Sequence, residues 1–300
     1  MRLFIFGVGY TAQALIEAHR PLFSRIGGTV RTDDKARALR GRGVAAHVLN
    51  GTAVSDSLLR DISDADAILA GIPPGEAGDP ALSLLLSGGV EMHARWVGYL
   101  STVGVYGDHG GAWVDEMSPA VTRVPRSMRR LAAEESWRAL AAAAGARGLV
   151  FRLPGIYGPG RNTLRDLATG TARNIVKDGQ VFNRAHAADI AAAIAAAIRD
   201  ETADGIYNVA DDEPAAQGEV VAFAAGLLGV TPPAPVDFAT AELSDMVRSF
   251  HLENKRVANA RLKTLPGFRL TYPTYREGLA ALHAQGEGRT ATATLSRITP

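Results

Sequence analysis

The chain has 300 residues, 47% hydrophobic and 21% charged, with a net charge of +1; this is enough apolar surface for a sizeable core and too little basic excess for a nucleic-acid or membrane-surface binder. It contains no cysteine, which excludes disulfides, thiolate metal sites, iron–sulfur clusters and cysteine nucleophiles. The first strand begins at Arg2 or Leu3, leaving no room for a signal peptide, and no apolar run approaches the roughly 18 residues of a membrane span; the expectation is a soluble cytoplasmic protein whose partner is a small molecule.

In chain order, short apolar runs of β character fall at 3–6, 29–31, 46–49, 67–70, 96–100, 149–153 and 206–209. Helical patterns occupy 11–20, 34–40, 80–87 and 127–144, the last stopping at Gly145 as a helix C-terminus does. The β-α-β-α succession predicts an α/β fold, a doubly wound parallel sheet of Rossmann type with about seven strands. Past Leu153 the texture changes to glycine- and proline-rich loops, then to helical patterns at 188–199, 216–228 and 273–284. Residues 1–153, with the strand near 206–209, read as the sheet domain, and 154–285 as mainly a substrate-binding domain over its carboxyl edge. Residues 231–235 read as a linker and 286–300 as a flexible tail. Trp96, Trp113 and Trp137 are assigned to core or pocket wall, not to base stacking.

The first strand runs into Gly7-Val8-Gly9-Tyr10-Thr11-Ala12, a G-x-G-x-x-A pattern with a strand before it and a helix after it. Gly7 permits the tight turn, Gly9 lets the backbone approach a pyrophosphate at the helix N-terminus, and Ala12 allows close helix-to-strand packing. The pattern predicts a bound nicotinamide dinucleotide. Proteins of this architecture that select NAD close the second strand with an acid for the ribose 2′-hydroxyl. Here Arg31 stands at that end, followed by Lys35 and Arg37, which favours the 2′-phosphate of NADP; Asp33 or Asp34 as the ribose acid of NAD is the alternative.

The segment Leu100-Ser101-Thr102-Val103-Gly104-Val105-Tyr106-Gly107 resembles the Ser/Thr-x-x-x-Tyr-Gly segment of the extended short-chain dehydrogenase/reductases. Matching pieces recur at 111–116, 131–135, 152–160, 182–189 and 207–210, so the resemblance spans most of the chain. It implies NAD(P)-dependent epimerase, dehydratase or reductase chemistry, often on nucleotide sugars, and a possible homodimer through two long helices. It also implies that Thr102 hydrogen-bonds the reacting oxygen and that Pro154, Gly155 and Ile156 lie against the nicotinamide. Gly71, Ile72 and Pro73 would pass near the adenosine ribose and phosphates, and Asn50 takes the place of an acid that often meets adenine.

The family's tyrosine and lysine fall four apart on the next helix, directly ahead of Leu131-Ala132-Ala133-Glu134; this chain has Arg126 and Arg130 there. Such a tyrosine moves the proton that accompanies hydride transfer, helped by the lysine. A guanidinium stays protonated and cannot do that work. The chain therefore resembles an atypical branch of the family. In one reading Arg126 clamps an anionic substrate, Arg130 holds ribose hydroxyls, and the proton comes from Tyr106, Tyr157, water or the substrate. In the other, the fold keeps NADP(H) as a sensor without turnover. His186 and Asp189 lack further converging ligands for a metal and read as hydrogen-bonding residues of the domain junction.

Overall fold

Alternate residues of the first strand, β1 (Arg2–Phe6), enter two different cores: Leu3 and Ile5 one, Phe4 and Phe6 the other. A strand buried on both faces belongs inside a layered sheet. The computed structural model describes residues 1–51, 54–87 and 90–289. Around β1 stand β2 (Arg25–Val30), β3 (Ala45–Val48), β4 (Ala67–Ala70), β5 (Trp96–Thr102), β6 (Arg147–Leu153) and β7 (Gly205–Asn208), all parallel, in the order β7-β6-β5-β4-β1-β2-β3. The order reverses between β1 and β4, so a crevice opens where Phe6 and Ala70 end their strands.

On one face lie α1 (Tyr10–His19), α2 (Asp33–Gly41) and α7 (Ala187–Arg199); on the other lie α3 (Asp56–Ser63), α4 (Pro80–Ser87) and α5 (Pro125–Ala143). The alanine run of α7 is buried on nearly every side, which lets α1 and the 262–268 segment join the same core. A second, smaller core gathers α6 (Thr163–Ala168), α8 (Gln217–Leu228) and α10 (Tyr275–Ala284), the last opened by a Thr274–Glu277 capping box. Short parallel ribbons join distant segments: Gly155–Tyr157 with Arg184–His186, Ile175–Val176 with Val236–Asp237, and Trp113–Val114 with Arg256–Val257.

All seven expected strands are present. The second begins earlier than its apolar run suggested, and Arg31 lies just past its end. The sequence reading did not include α3, α6, the ribbons or α9 (Asp245–His251). Trp96 and Trp137 are core residues, but Trp113 is 59% exposed, which corrects its assignment to core or pocket wall. Residues 290–300 of the expected tail lie outside the described residues. At the start of that segment Glu287 accepts hydrogen bonds from the Gly160 N–H (2.7 Å) and Asn162 Nδ2 (3.1 Å).

A buried ion pair crosses from α5 to β6. Glu134 and Arg152 are 3% and 4% exposed, and the carboxylate accepts from Arg152 Nη2 at 2.8 Å, from Nε at 3.2 Å and from the Ser101 hydroxyl. The guanidinium lies 4.7 Å from the ring centroid of Tyr106. Removing one charge strands the other away from water, so Glu134→Gln is expected to cost about 3–5 kcal/mol in urea unfolding. The Glu134→Met/Arg152→Met double variant is expected to recover most of it; a single-variant loss below about 1 kcal/mol would refute the pair's importance.

His186 and Asp189 do serve the junction. His186 Nδ1 accepts the Ala188 N–H (3.1 Å) and caps α7, with the ring against Tyr157 and Tyr272. Asp189 accepts from the Thr271 and Tyr272 N–H groups at 2.6 and 3.1 Å. Burial pulls the imidazole down to about 4, so the unfolded chain, titrating near 6.5, takes up this proton first as pH falls. The native state then loses stability between about pH 6.5 and about pH 4, by roughly 3 kcal/mol at about 1.4 kcal/mol per pK unit. Asp189, pushed up to about 6 by burial, has the opposite sign: its contribution is present in acid and fades as pH rises through about 6. The two are separated by comparing wild type with His186→Asn, which keeps a capping side chain. The wild type is expected to lose stability relative to the variant toward acid; parallel acid limbs would rule this out.

Candidate functional site

The turn after β1 is held from both sides. Gly7 has φ +86° and donates its N–H to Thr29 Oγ1 (2.9 Å); the Val8 N–H meets the Thr29 carbonyl (2.8 Å). A Cβ on Gly7 would sit 2.8 Å from Ile72 Cγ1, so the turn itself demands glycine. Gly9 is different. Its φ of −92° suits any residue, and a Cβ there would meet only the Gly7 carbonyl oxygen, at 3.9 Å. The space over Gly9 faces the start of α1, which has no side-chain cap and no acid in its first turn. Free N–H groups and the helix dipole favour an anion there, and a Cβ would fill the cradle; the residues fit a dinucleotide pyrophosphate.

Thr11 and Ala12 are buried beneath this turn. Tyr10 reaches across, donating its hydroxyl to the Pro159 carbonyl (3.1 Å). Gly71, Ile72 and Pro73 follow β4 on the other side of the crevice, with the Gly71 N–H on the Phe6 carbonyl (2.8 Å). Arg31 is exposed and has no ion pair among the described residues; Asp34 is paired with Arg37 at 3.0 Å. Lys35 opens α2 over the Thr32 cap, and Asn50 is exposed beyond β3.

Thr102, at the end of β5, lines a cavity of about 690 Å³ together with Pro154, Gly155 and Ile156. Its Oγ1 accepts the Gly104 N–H (3.1 Å), which leaves the hydroxyl proton free to donate. Arg184, Phe250, His251, Glu253 and Lys255 close the wall, and a side lobe of about 250 Å³ continues past Arg184 to Tyr157 and Tyr275. Arg184 Nη1 donates to the Phe182 and Ala215 carbonyls (2.9 and 3.1 Å), and no carboxylate lies within ion-pair distance among the described residues. Burial pulls this guanidinium below its ordinary range, opposed by Asp211, whose own carboxyl burial pushes up to about 8.

Three expected catalytic side chains lie off the cavity, and a fourth, Tyr157, borders only its side lobe. Tyr106 is fully buried and donates its hydroxyl to Asn208 Oδ1 (2.8 Å), so it cannot reach a substrate. Tyr157 packs against Gly278 and donates to the Thr274 carbonyl (3.4 Å), and burial drives its phenol far up. Arg126 is half-buried with its guanidinium 4.5 Å from the Phe250 ring centroid, which puts Phe250 on the cavity wall in its stead. Arg130 donates to the Leu100 carbonyl and lies 5.3 Å from the Tyr99 ring centroid, turned onto the strand end. The sequence reading missed Arg184 and Lys255 as wall residues. Arg184 lay inside a matched segment, as an arginine flanked by buried Asn183 and Ala185; Lys255 had no local signal at all.

The two glycines separate architecture from ligand. Gly7→Ala is expected to destabilise the protein by more than about 1 kcal/mol, whereas Gly9→Ala changes unfolding little. Only the second is expected to abolish dinucleotide binding while leaving the fold intact; equal losses of stability would contradict the reading of the space over Gly9.

The NAD dependent epimerase/dehydratase family model matches residues 83–210. A Streptomyces protein named 3-diazoavenalumate denitrifying reductase is 31% identical over 177 residues; the chain spans about half the length of that relative, 55%, using 56% of its own. Among solved structures, a conserved protein of unknown function from Silicibacter pomeroyi is 43% identical with a TM-score of 0.82, covering 95% of this chain and 99% of that one. A putative NAD-dependent epimerase/dehydratase from Methylobacillus flagellatus is 25% identical with a TM-score of 0.69, covering 95% and 98%. These similarities agree with the parallel sheet and the glycine turn described above: over residues 83–210 the chain matches the NAD dependent epimerase/dehydratase family, and its fold is that of a solved putative member.

Proposed function

We propose that the chain is an NADP(H)-dependent reductase of a small anionic molecule bound in the cavity above Thr102. The observation that carries this reading is Arg184, a half-buried cation in the cavity wall with no carboxylate within ion-pair distance among the described residues. An unpaired buried charge is costly, and an anionic ligand would compensate it. Gly7, Gly9, Tyr10, Thr11 and Ala12 would hold the dinucleotide, Arg31 and Lys35 its 2′-phosphate, and Pro154, Gly155 and Ile156 the nicotinamide end. When bound, a nicotinamide supplies hydride chemistry to the cavity.

Thr102 would donate a hydrogen bond to the reacting oxygen of the substrate and so orient it, and Arg184 would fix the substrate's anionic group. Epimerisation needs a proton removed and later returned, the work of the tyrosine that Arg126 replaces. One-way reduction needs a single proton delivered. The reductase reading also agrees with the word reductase in the name of the Streptomyces relative.

Thermal unfolding with each cofactor tests the binding half. A ligand at one hundred times its dissociation constant adds about 2.7 kcal/mol, and NADPH is expected to stabilise more than NADH at equal concentration. Arg31→Ala is expected to erase that difference; a variant with undiminished preference would remove the 2′-phosphate argument. Oxidation of NADPH by a panel of carboxylated and phosphorylated carbonyl compounds tests the other half. Arg184→Met is expected to raise KM for the anionic substrate by about 10-fold to 100-fold, the weight of a charge-assisted hydrogen bond, with NADPH stabilisation unchanged. Binding without any oxidation would leave a cofactor-sensing protein.

A further inference from the structure

We propose that Lys255 is the proton donor of this cavity, standing where the family's tyrosine is missing; the inference rests on the reading of the cavity as a reduction site. The wall carries seven side chains that can be charged: Arg161, Asp166, Arg173, Arg184, His251, Glu253 and Lys255. The three arginines hold their protons at any working pH. His251 directs Nδ1 at the Val247 carbonyl (3.1 Å) between the rings of Phe182 and Phe238, and it belongs to α9, apart from the turn that Thr102 caps. Asp166 belongs to α6, on the part of the wall shared with the side lobe. Both oxygens of Glu253 are occupied, one by the Thr122 hydroxyl (3.2 Å) and one by Lys255 (3.0 Å).

Lys255 remains. It is 6% exposed, and Nζ donates to the Gly107 carbonyl at 2.7 Å and to Glu253 Oε2 at 3.0 Å. An ammonium has three hydrogens; two are placed by these acceptors and the third is left for a ligand. Gly107 ends the short helical turn Val103–Tyr106 that Thr102 caps. The Thr102 hydroxyl and the Lys255 ammonium are therefore fixed on the two ends of one turn, at the same cavity.

A reduced nicotinamide held at Pro154, Gly155 and Ile156 would supply a hydride to the carbon of a C=X bond, and the electron pair of that bond would move onto X, which then needs a proton. One N–H bond of Lys255 breaks, its pair stays on Nζ, and the proton bonds to X. The neutral amine is recharged from water through Glu253, whose side chain is 14% exposed. Burial pulls the ammonium below the ordinary lysine range, against the attraction of Glu253 and Asp108, which makes it a better acid near neutral pH. Asp108, which accepts the Asn254 N–H (2.8 Å), feels both Lys255 and Lys177; Lys177 donates to the carbonyl of His251, a residue of the same cavity wall, and His109 holds the Tyr106 carbonyl at 3.0 Å.

Competitive acylation of the cofactor-free protein, read by mass spectrometry from about pH 6 to about pH 11, measures the proton affinity of each lysine. Lys255 is expected to reach its midpoint at a lower pH than exposed Lys35, and Glu253→Gln to lower that midpoint further. Lys255→Met and Lys255→Arg are both expected to lower kcat about 10²-fold to 10⁴-fold, with NADPH binding unchanged; a role limited to charge or packing would be rescued by arginine. A midpoint equal to that of Lys35, or full kcat in Lys255→Arg, overturns the inference and leaves the reductase reading standing. NADPH that binds and is never oxidised by the panel overturns the reading of the site, and this inference with it.

Discussion

The buried pair of Arg152 and Glu134 sets the geometry on which the rest depends. Two charges withdrawn from water are tolerated only when nearly every lone pair and proton is satisfied, and here Ser101 and the Tyr106 ring complete the arrangement. The partners come from β5, α5, β6 and the turn after β5, while the Tyr106 hydroxyl extends the network to Asn208 on β7. Three adjacent strands and one helix are thereby locked at the carboxyl edge of the sheet. Thr102 follows Ser101 by one residue and Pro154 follows Arg152 by two, so both walls of the cavity inherit their positions from this pair.

The same network explains what became of the residues around the vacated tyrosine position. Tyr106 is a structural partner, sealed beside Arg152. Arg130 covers the strand end at Leu100, and Arg126 supports Phe250 on α9. These side chains brace the floor and the far wall of the cavity. Besides Thr102, the wall side chains proposed for binding and proton delivery, Arg184 and Lys255, arrive from the second half of the chain.

The sheet was legible because parallel strands covered on both faces read as continuous apolar runs. β2 was underestimated because Gly27 and Gly28 interrupt its run. α3 and α9 escaped because each is a short helix whose main signature is one serine cap, Ser55 or Ser244. The dinucleotide turn is complete within six residues, so its sequence carries the whole geometry. The tyrosines were misjudged for the converse reason: a sequence displays a hydroxyl without its partner, and Asn208 lies 102 positions from Tyr106. Lys255 is tied to Gly107 across 148 positions and was illegible in the same way.

Charge balance joins the two halves of the site. Arg184 has Asp211 as its nearest acidic influence, yet burial holds that carboxyl protonated up to about pH 8, and its Oδ2 has no hydrogen-bond partner. Near neutral pH the acid therefore fails to cancel the guanidinium, whose field is left for whatever occupies the cavity. Lys255, by contrast, has its counter-ion in contact at Glu253. A cation that binds an anion should keep its charge uncompensated until the ligand arrives, whereas one that gives up a proton needs a neighbour that stabilises the charged form enough to refill it. Arg184 and Lys255 differ in that sense, and the difference separates the anion binding proposed for one from the proton delivery proposed for the other.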